Sequence, residues 1–227
     1  MRSKIFTRTI GYWPLQETSG QALDYSGNEN HASSTNVSGY GVSGPLGGTS
    51  IDFNGSGDYI GLGNPSAKLD ADIWTLSAWI KTNISGSQTV LQKRYTDNPD
   101  VNYTLSFDSS GKPYVNHTVG GTYVSAKAES TIATGVWHHL VGVNNGSDLK
   151  MFVDGVKVNT TSSGGISDQG SSQTMKLGKQ EVSGSPDYFD GKIAHVRVWD
   201  YPLPEASIRA LYNASRGGFA ESSRKTS

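Results

Sequence analysis

Ile73-Trp74-Thr75-Leu76-Ser77-Ala78-Trp79-Ile80-Lys81 decides the fold class. Trp74, Leu76, Ala78 and Ile80 alternate with Thr75, Ser77, Trp79 and Lys81. A period of two sends successive side chains to opposite faces of a strand, so the first set faces a core. The same signal recurs on either side. Ser50–Phe53, Tyr59–Leu62, Val90–Gln92, Tyr103–Phe107, Tyr114–Asn116, Tyr123–Ala126, Leu149–Val153, Val156–Val158, Met175–Leu177 and Lys192–Trp199 all read as strands. In Trp137–Val143, the residues Trp137, His139, Val141 and Val143 share one face. Gly111, Gly120-Gly121 and Asp154-Gly155 supply hairpin turns, and Asn54-Gly55-Ser56-Gly57 a further turn. Strands recurring every 8–12 residues or so predict an all-β, antiparallel jelly-roll β-sandwich.

The ends are read differently. Residues 1–9 form an N-terminal arm, residues 10–215 the jelly-roll domain, and residues 216–227 a polar C-terminal tail. Ile10–Pro14 is the first strand. Residues 16–48 are polar and glycine-rich, too long for a structureless loop without a task. One short C-terminal helix is expected. Pro204 suits its first position, Glu205 complements its N-terminus, and Ile208, Leu211 and Tyr212 make one apolar face. Gly217-Gly218 is expected to stop it.

Composition narrows the function classes. The 227 residues carry a net charge of −1 without a long run of one sign, which argues against nucleic acid as a partner. No apolar stretch reaches the ~20 residues a membrane-spanning helix needs, so membrane insertion is not expected. The first ten residues lack the apolar run of a secretory leader. With no cysteine in the chain, disulfides, thiolate metal sites and thiol nucleophiles are excluded.

Five elements in order carry a resemblance. They are Gly11-Tyr12-Trp13-Pro14-Leu15 with Leu23-Asp24-Tyr25-Ser26-Gly27-Asn28; Ser50-Ile51-Asp52-Phe53-Asn54; Trp137-His138-His139-Leu140; Met151-Phe152-Val153-Asp154-Gly155; and Phe189-Asp190-Gly191-Lys192-Ile193 running to Trp199-Asp200. Together they resemble the laminin-G-like branch of the concanavalin A-like lectin/glucanase superfamily, over about residues 10 to 213. The resemblance implies a recognition sandwich. It also implies Ca²⁺ between the early Asp-x-Ser-Gly loop and the last strand, with Asp24, Asn28 and the loop near His31 as ligands. Ala194-His195 stands where the family carries an acidic pair, which weakens that calcium site.

Catalytic constellations are scarce. Glucanases of the superfamily place two acids on one strand, about 5–5.5 Å apart. No strand here carries such a pair, so no enzyme is expected. His138 and His139 are neighbours and point to opposite faces, which suits structural roles. Sugar rings stack on exposed aromatic faces. The best candidates are Tyr95 beside Asp97 and Asn98, and Tyr188 beside Asp187.

The leading expectation is therefore a non-catalytic surface domain contacting a glycan or cell-surface ligand. A lectin-like fold with no cysteine and no evident signal suggests a route outside the secretory pathway, and a virion component fits that, such as a phage capsid decoration protein, head fibre or tail-associated adhesin. Its partners would include other copies of itself or capsid and fibre proteins, and it would act at the virion surface or outside the cell. A lectin-like module of a secreted bacterial protein is the alternative, and a divergent glycanase a second one.

Overall fold

The computed structural model describes residues 9–45, 47–62, 69, 71–94, 101–165, 174–180, 184 and 186–222, with side chains described up to residue 214. Two antiparallel sheets pack face to face, confirming the jelly-roll-type sandwich. The elements in chain order are β1 (Thr9–Trp13), β2 (Ser34–Asn36), β3 (Gly39–Ser43), β4 (Thr49–Asn54), β5 (Tyr59–Gly61), β6 (Trp74–Thr82), β7 (Gln88–Arg94) and β8 (Val101–Phe107). They continue with β9 (Pro113–Val119), β10 (Thr122–Lys127), β11 (His138–Asn144), β12 (Asp148–Val153), β13 (Val156–Ser162), β14 (Thr174–Leu177), β15 (Asp190–Trp199) and α1 (Glu205–Ser222). The first sheet has the order β13-β12-β11-β6-β15-β4-β3, with β1 added on β15. The second has the order β10-β9-β8-β7-β14-β5-β2.

The core follows from the period-two pattern. Trp74, Leu76, Ala78 and Ile80 of β6 meet Tyr103, Leu105 and Phe107 of β8 and Val115 of β9 in one apolar cluster. Gly142 on β11 lets the sheets close: a Cβ there would collide with Val115 of the opposite sheet, 2.9 Å from its Cβ.

The other face of β6 is covered as well. Thr75 and Ser77 are fully buried there. Val141, Val143, Phe152 and Trp199 pack with Leu203, Ile208 and Leu211, so α1 and the segment before it lie across the outside of the first sheet. Leu203 N donates to Thr75 Oγ1, and Thr75 Oγ1 to the Tyr201 carbonyl, both at 2.8 Å. These bonds satisfy polar groups that burial would otherwise penalise.

Three sequence expectations change. Residues 16–48 contain two short strands, β2 and β3, one in each sheet. The Asn54–Gly57 turn joins strands of different sheets, because β4 pairs with β15 and β3 while β5 pairs with β14 and β2. The helix runs through Gly217-Gly218 to Ser222. A glycine costs a helix only about 1 kcal/mol relative to alanine, which does not by itself end one.

Candidate functional site

A groove of about 350 Å³ opens on the outward face of the second sheet. Ser87, Asp108, Ser109, Tyr114, Tyr123, Ser125 and Lys127 line it. Strand alternation explains the set. Val115, Ala126 and Leu105 point into the core, so their neighbours Tyr114, Asn116, Ser125, Lys127, Thr104 and Ser106 point out. Antiparallel register then aligns one polar row. Lys176 lies opposite Gln92, Gln92 opposite Thr104, Thr104 opposite Asn116, and Asn116 opposite Ser125. At roughly 4.8 Å per strand, this row spans on the order of 19 Å.

Next to the groove, and outside its lining, the outward polar residues of β7, β8 and β9 are buried and hydrogen-bonded. Gln92 Nε2 donates to Thr104 Oγ1 at 3.0 Å, and Ser106 Oγ to Thr89 Oγ1 at 3.1 Å. Asn116 Nδ2 donates to the Tyr123 hydroxyl. Asn116 Oδ1 has no partner, although the residue is only 3% exposed. Both amide atoms of Asn102, on the same outward face, are buried and unpartnered too. Buried polar atoms are seldom left open, because each costs about 1–3 kcal/mol. Over this buried row, in the groove itself, stands Tyr123, 55% exposed.

Charge is held at the rim. Asp108 pairs with Lys127 at 2.9 Å and accepts backbone bonds from Ser110 and Lys112. Burial alone would raise the Asp108 carboxyl, but the Lys112 and Ser110 amides and the Lys127 ammonium hold it below the usual carboxylate range. Burial pushes the Tyr114 hydroxyl up, with the Tyr123 hydroxyl and the Asp187 charge adding to the effect.

Asp187 and Tyr188 belong to this end of the sheet. Ser87 Oγ donates to Asp187 Oδ2 at 2.8 Å, and Gln180 N to the Asp187 carbonyl at 2.9 Å. Tyr188 bridges to Lys179, whose ammonium lies 5.6 Å from its ring centroid. The other aromatic candidate, Tyr95 with Asp97 and Asn98, lies outside the described residues. Sequence reading missed Tyr114, Asn116, Asp108 and Lys127. Only a strand register could have gathered them, since they are separated in the chain and each fits an ordinary strand or turn.

The implied calcium ligands are brought into one turn and turned to other work. Asp24 Oδ1 accepts from the amides of Tyr12 at 2.9 Å and Ser26 at 2.8 Å. Asp24 Oδ2 accepts from Ser26 Oγ at 2.8 Å and the Asn30 amide at 3.0 Å. Asn28 directs its amide nitrogen at the carbonyls of Thr9 and Ile10, both at 3.3 Å. His31 Nδ1 accepts from the Asp24 amide at 3.0 Å. Calcium wants six to eight free oxygens. A carboxylate whose two oxygens each accept two hydrogen bonds does not fit that demand. Among the described residues, no group of three or more His, Asp or Glu is placed to hold a metal.

The histidines are structural in their contacts. His138 Nδ1 meets Asp154 Oδ2 at 2.7 Å. His139 Nε2 meets Ser77 Oγ at 2.8 Å, and its ring stacks on Trp79 at 5.1 Å. His195 is the extra residue of a bulge in β15, where Ala194 pairs with Trp79 and Arg197 with Ser77. It takes a positive φ of 49°, and its Nδ1 lies 3.1 Å from the Tyr12 hydroxyl. Ala194 is buried beside it.

Comparisons with known proteins agree with this geometry. Domain 4 of AbnA, an extracellular arabinanase from Geobacillus stearothermophilus solved with arabinotriose, superposes with a TM-score of 0.70 at 17% identity, over 90% of this chain and 98% of that one. The binding domain of botulinum neurotoxin DC in complex with SialylT gives 0.68 at 13%, over 93% of this chain and 52% of that one. The binding domain of Paraclostridial Mosquitocidal Protein 1 gives 0.65 at 14%, over 92% and 53%. This chain thus spans about half the length of the toxin binding-domain chains it matches. No curated protein matches the chain. At these identities the likeness shows the fold alone. A laminin-G-type family model matches residues 54–209, and the chain accordingly belongs to the concanavalin A-like lectin/glucanases superfamily.

Proposed function

We propose that this chain is a glycan-binding domain without catalytic activity, and that the groove on its second sheet receives the sugar. One observation carries the reading: the Tyr123 ring, 55% exposed, stands at a groove lined by Ser87, Asp108, Ser109, Tyr114, Ser125 and Lys127. A pyranose or furanose offers an apolar C–H face for the tyrosine and hydroxyls for the polar side chains around it. Ser87, Ser109 and Ser125 add hydroxyls, and Asp108 and Lys127 add a charged rim. Few apolar side chains line the groove, which suits a hydrated ligand.

Binding without turnover is supported by the state of the rim acid. A glycosidase needs a carboxylic acid whose proton affinity is raised. Asp108 is instead held ionised by Lys127 and two backbone amides. The neighbouring structures include an arabinanase domain solved with arabinotriose and a toxin binding domain solved with SialylT. These support a sugar as the ligand class.

Titration against a glycan panel tests the reading, with Tyr123→Ala and Asn116→Ala as controls. Binding by the wild type and a loss of about tenfold in each variant, ~1.4 kcal/mol, is the expected result. Equal binding by wild type and both variants would place the ligand elsewhere. The cysteine-free composition suits folding in a reducing cytoplasm, as a virion component made inside its host would require. Cosedimentation of the chain with phage particles from its source would test that placement.

A further inference from the structure

An ion pair stands in the groove wall and stays partly open to solvent. Lys127 Nζ lies 2.9 Å from Asp108 Oδ2, with the lysine side chain 49% exposed and the aspartate side chain 22%. Both residues line the groove. Asp108 opens the β8–β9 turn, where its amide donates to the Lys112 carbonyl at 3.0 Å and the Gly111 amide to its carbonyl at 2.8 Å. Gly111 carries the positive φ of 78° that this turn requires. Lys127, the last residue of β10, lies opposite Tyr114 near the start of β9. The register therefore delivers the lysine to the mouth of the turn.

The pair keeps hydrogen-bonding capacity on both sides. The Ser110 and Lys112 amides donate to Asp108 Oδ1 at 2.9 and 3.0 Å. Among the described residues, Oδ2 accepts from Lys127 alone, and Lys127 Nζ meets Asp108 alone. A carboxylate oxygen has two lone-pair positions and an ammonium three donors, so Oδ2 retains an acceptor position beside donors of Nζ. Burial opposes ionisation of Asp108, but the Lys112 amide, the Lys127 ammonium and the Ser110 amide overcome it, which keeps the carboxylate a pure acceptor. Tyr123, Ser125 and Lys127 share the outward face of β10. The Tyr123 hydroxyl meets Asn116, which pairs with Ser125, so the ring leans along the strand towards Lys127.

We propose that Asp108 and Lys127 form a subsite for a vicinal diol, so that the ligand is a neutral glycan with two adjacent free hydroxyls, one donating to Asp108 Oδ2 and the other accepting from Lys127 Nζ, while the sugar ring that bears them rests on Tyr123. The proposal rests on the glycan-binding reading above. Gauche hydroxyls on adjacent carbons place their oxygens about as far apart as this carboxylate oxygen and ammonium, so each can meet one member of the pair without breaking it. The pair cancels its own charge and offers no net attraction to an acidic sugar. Asp187, tied to Ser87 at the groove edge, repels one. Ser109 and Ser125, both exposed in the groove, remain for further hydroxyls.

Affinity electrophoresis of the intact chain tests this with dextran, linear arabinan and galactomannan, each native and O-methylated, and with polygalacturonate as the acidic polymer. The expected result is retardation by at least one native polymer, about tenfold stronger than by its methylated form and stronger than by polygalacturonate. Lys127→Met and Asp108→Asn should each bring native and methylated forms close to equal. Asp108→Asn keeps a side-chain oxygen for the turn amides, and circular dichroism of both variants checks that the fold is kept. Equal retardation by native and methylated forms, or a preference for the native form that persists in both variants, would overturn the diol subsite and leave glycan binding standing. Stronger retardation by polygalacturonate than by every neutral polymer would overturn it too. No retardation by any polymer, together with no binding across the glycan panel, would remove both readings.

Discussion

The Ser87 hydroxyl donates to Asp187 at 2.8 Å, across 100 residues of chain. This bond fastens the segment before β15 to the residue that precedes β7, at the edge of the groove. It makes the Lys179–Tyr188 end and the Tyr114–Tyr123 end parts of one surface. Ser87→Ala removes one hydrogen bond of about 1 kcal/mol. Affinity for a long oligosaccharide should fall about fivefold, and affinity for a disaccharide by less. Calorimetric titration with ligands of graded length measures the difference.

Gly142 fixes the spacing of the two sheets. Gly142→Ala drives a methyl group into Val115. Overpacking of this kind costs about 1–3 kcal/mol. Urea unfolding should show that loss with an unchanged slope, and Val115→Ala in the same chain should restore much of it.

Two buried histidines make stability depend on pH. Burial lowers His139 to about 3, with the Arg197 charge acting in the same direction, Asp154 opposing and His195 adding a small further lowering. Burial and then Arg197 lower His195 to about 4. Their unfolded value is about 6.5. The unfolded chain therefore binds more protons below that pH, and stability falls as pH drops from about 6.5 towards 4. Each group contributes up to about 1.4 kcal/mol per pH unit. Denaturant midpoints between pH 7 and pH 4.5 should show the slope. His195→Asn keeps a residue that tolerates positive φ and should flatten it.

The Asp24 turn is expected to hold without calcium. Asp24→Ala removes four hydrogen bonds to a buried carboxylate and should cost about 2–4 kcal/mol. Melting in EDTA and in millimolar calcium should give the same midpoint for the wild type. A calcium-dependent rise that vanishes in Asp24→Ala would show that the turn opens to hold a cation.

Much of the sandwich is legible in the sequence, because burial on one face forces a period of two. The alternation of Ile73–Lys81 names its own core face, and the Asp154-Gly155 hairpin carries positive φ values of 53° and 78°. The short strands β2 and β3 escape because their residues are exposed or half-buried, so no apolar rhythm marks them. The cover over Thr75 and Ser77 escapes too. Nothing local shows that Leu203 and Tyr201 reach back across more than 120 residues. The groove is harder still. Tyr123 and Asn116 become neighbours only through the β9–β10 register, and Lys176 joins them only through β7, β8 and β14. Of the site residues read from the sequence, Asp187 and Tyr188 lie at the groove edge, and Asp24, Asn28 and His31 share a turn that is hydrogen-bonded within itself and to β1.

One measurement bears most directly on the glycan groove: backbone amide chemical-shift mapping of the labelled chain during titration with a bound oligosaccharide. The account predicts shifts concentrated on Ser87, Asp108, Tyr114, Tyr123, Ser125 and Lys127. Shifts concentrated instead on the turn from Asp24 to His31, with the second sheet silent, would contradict it.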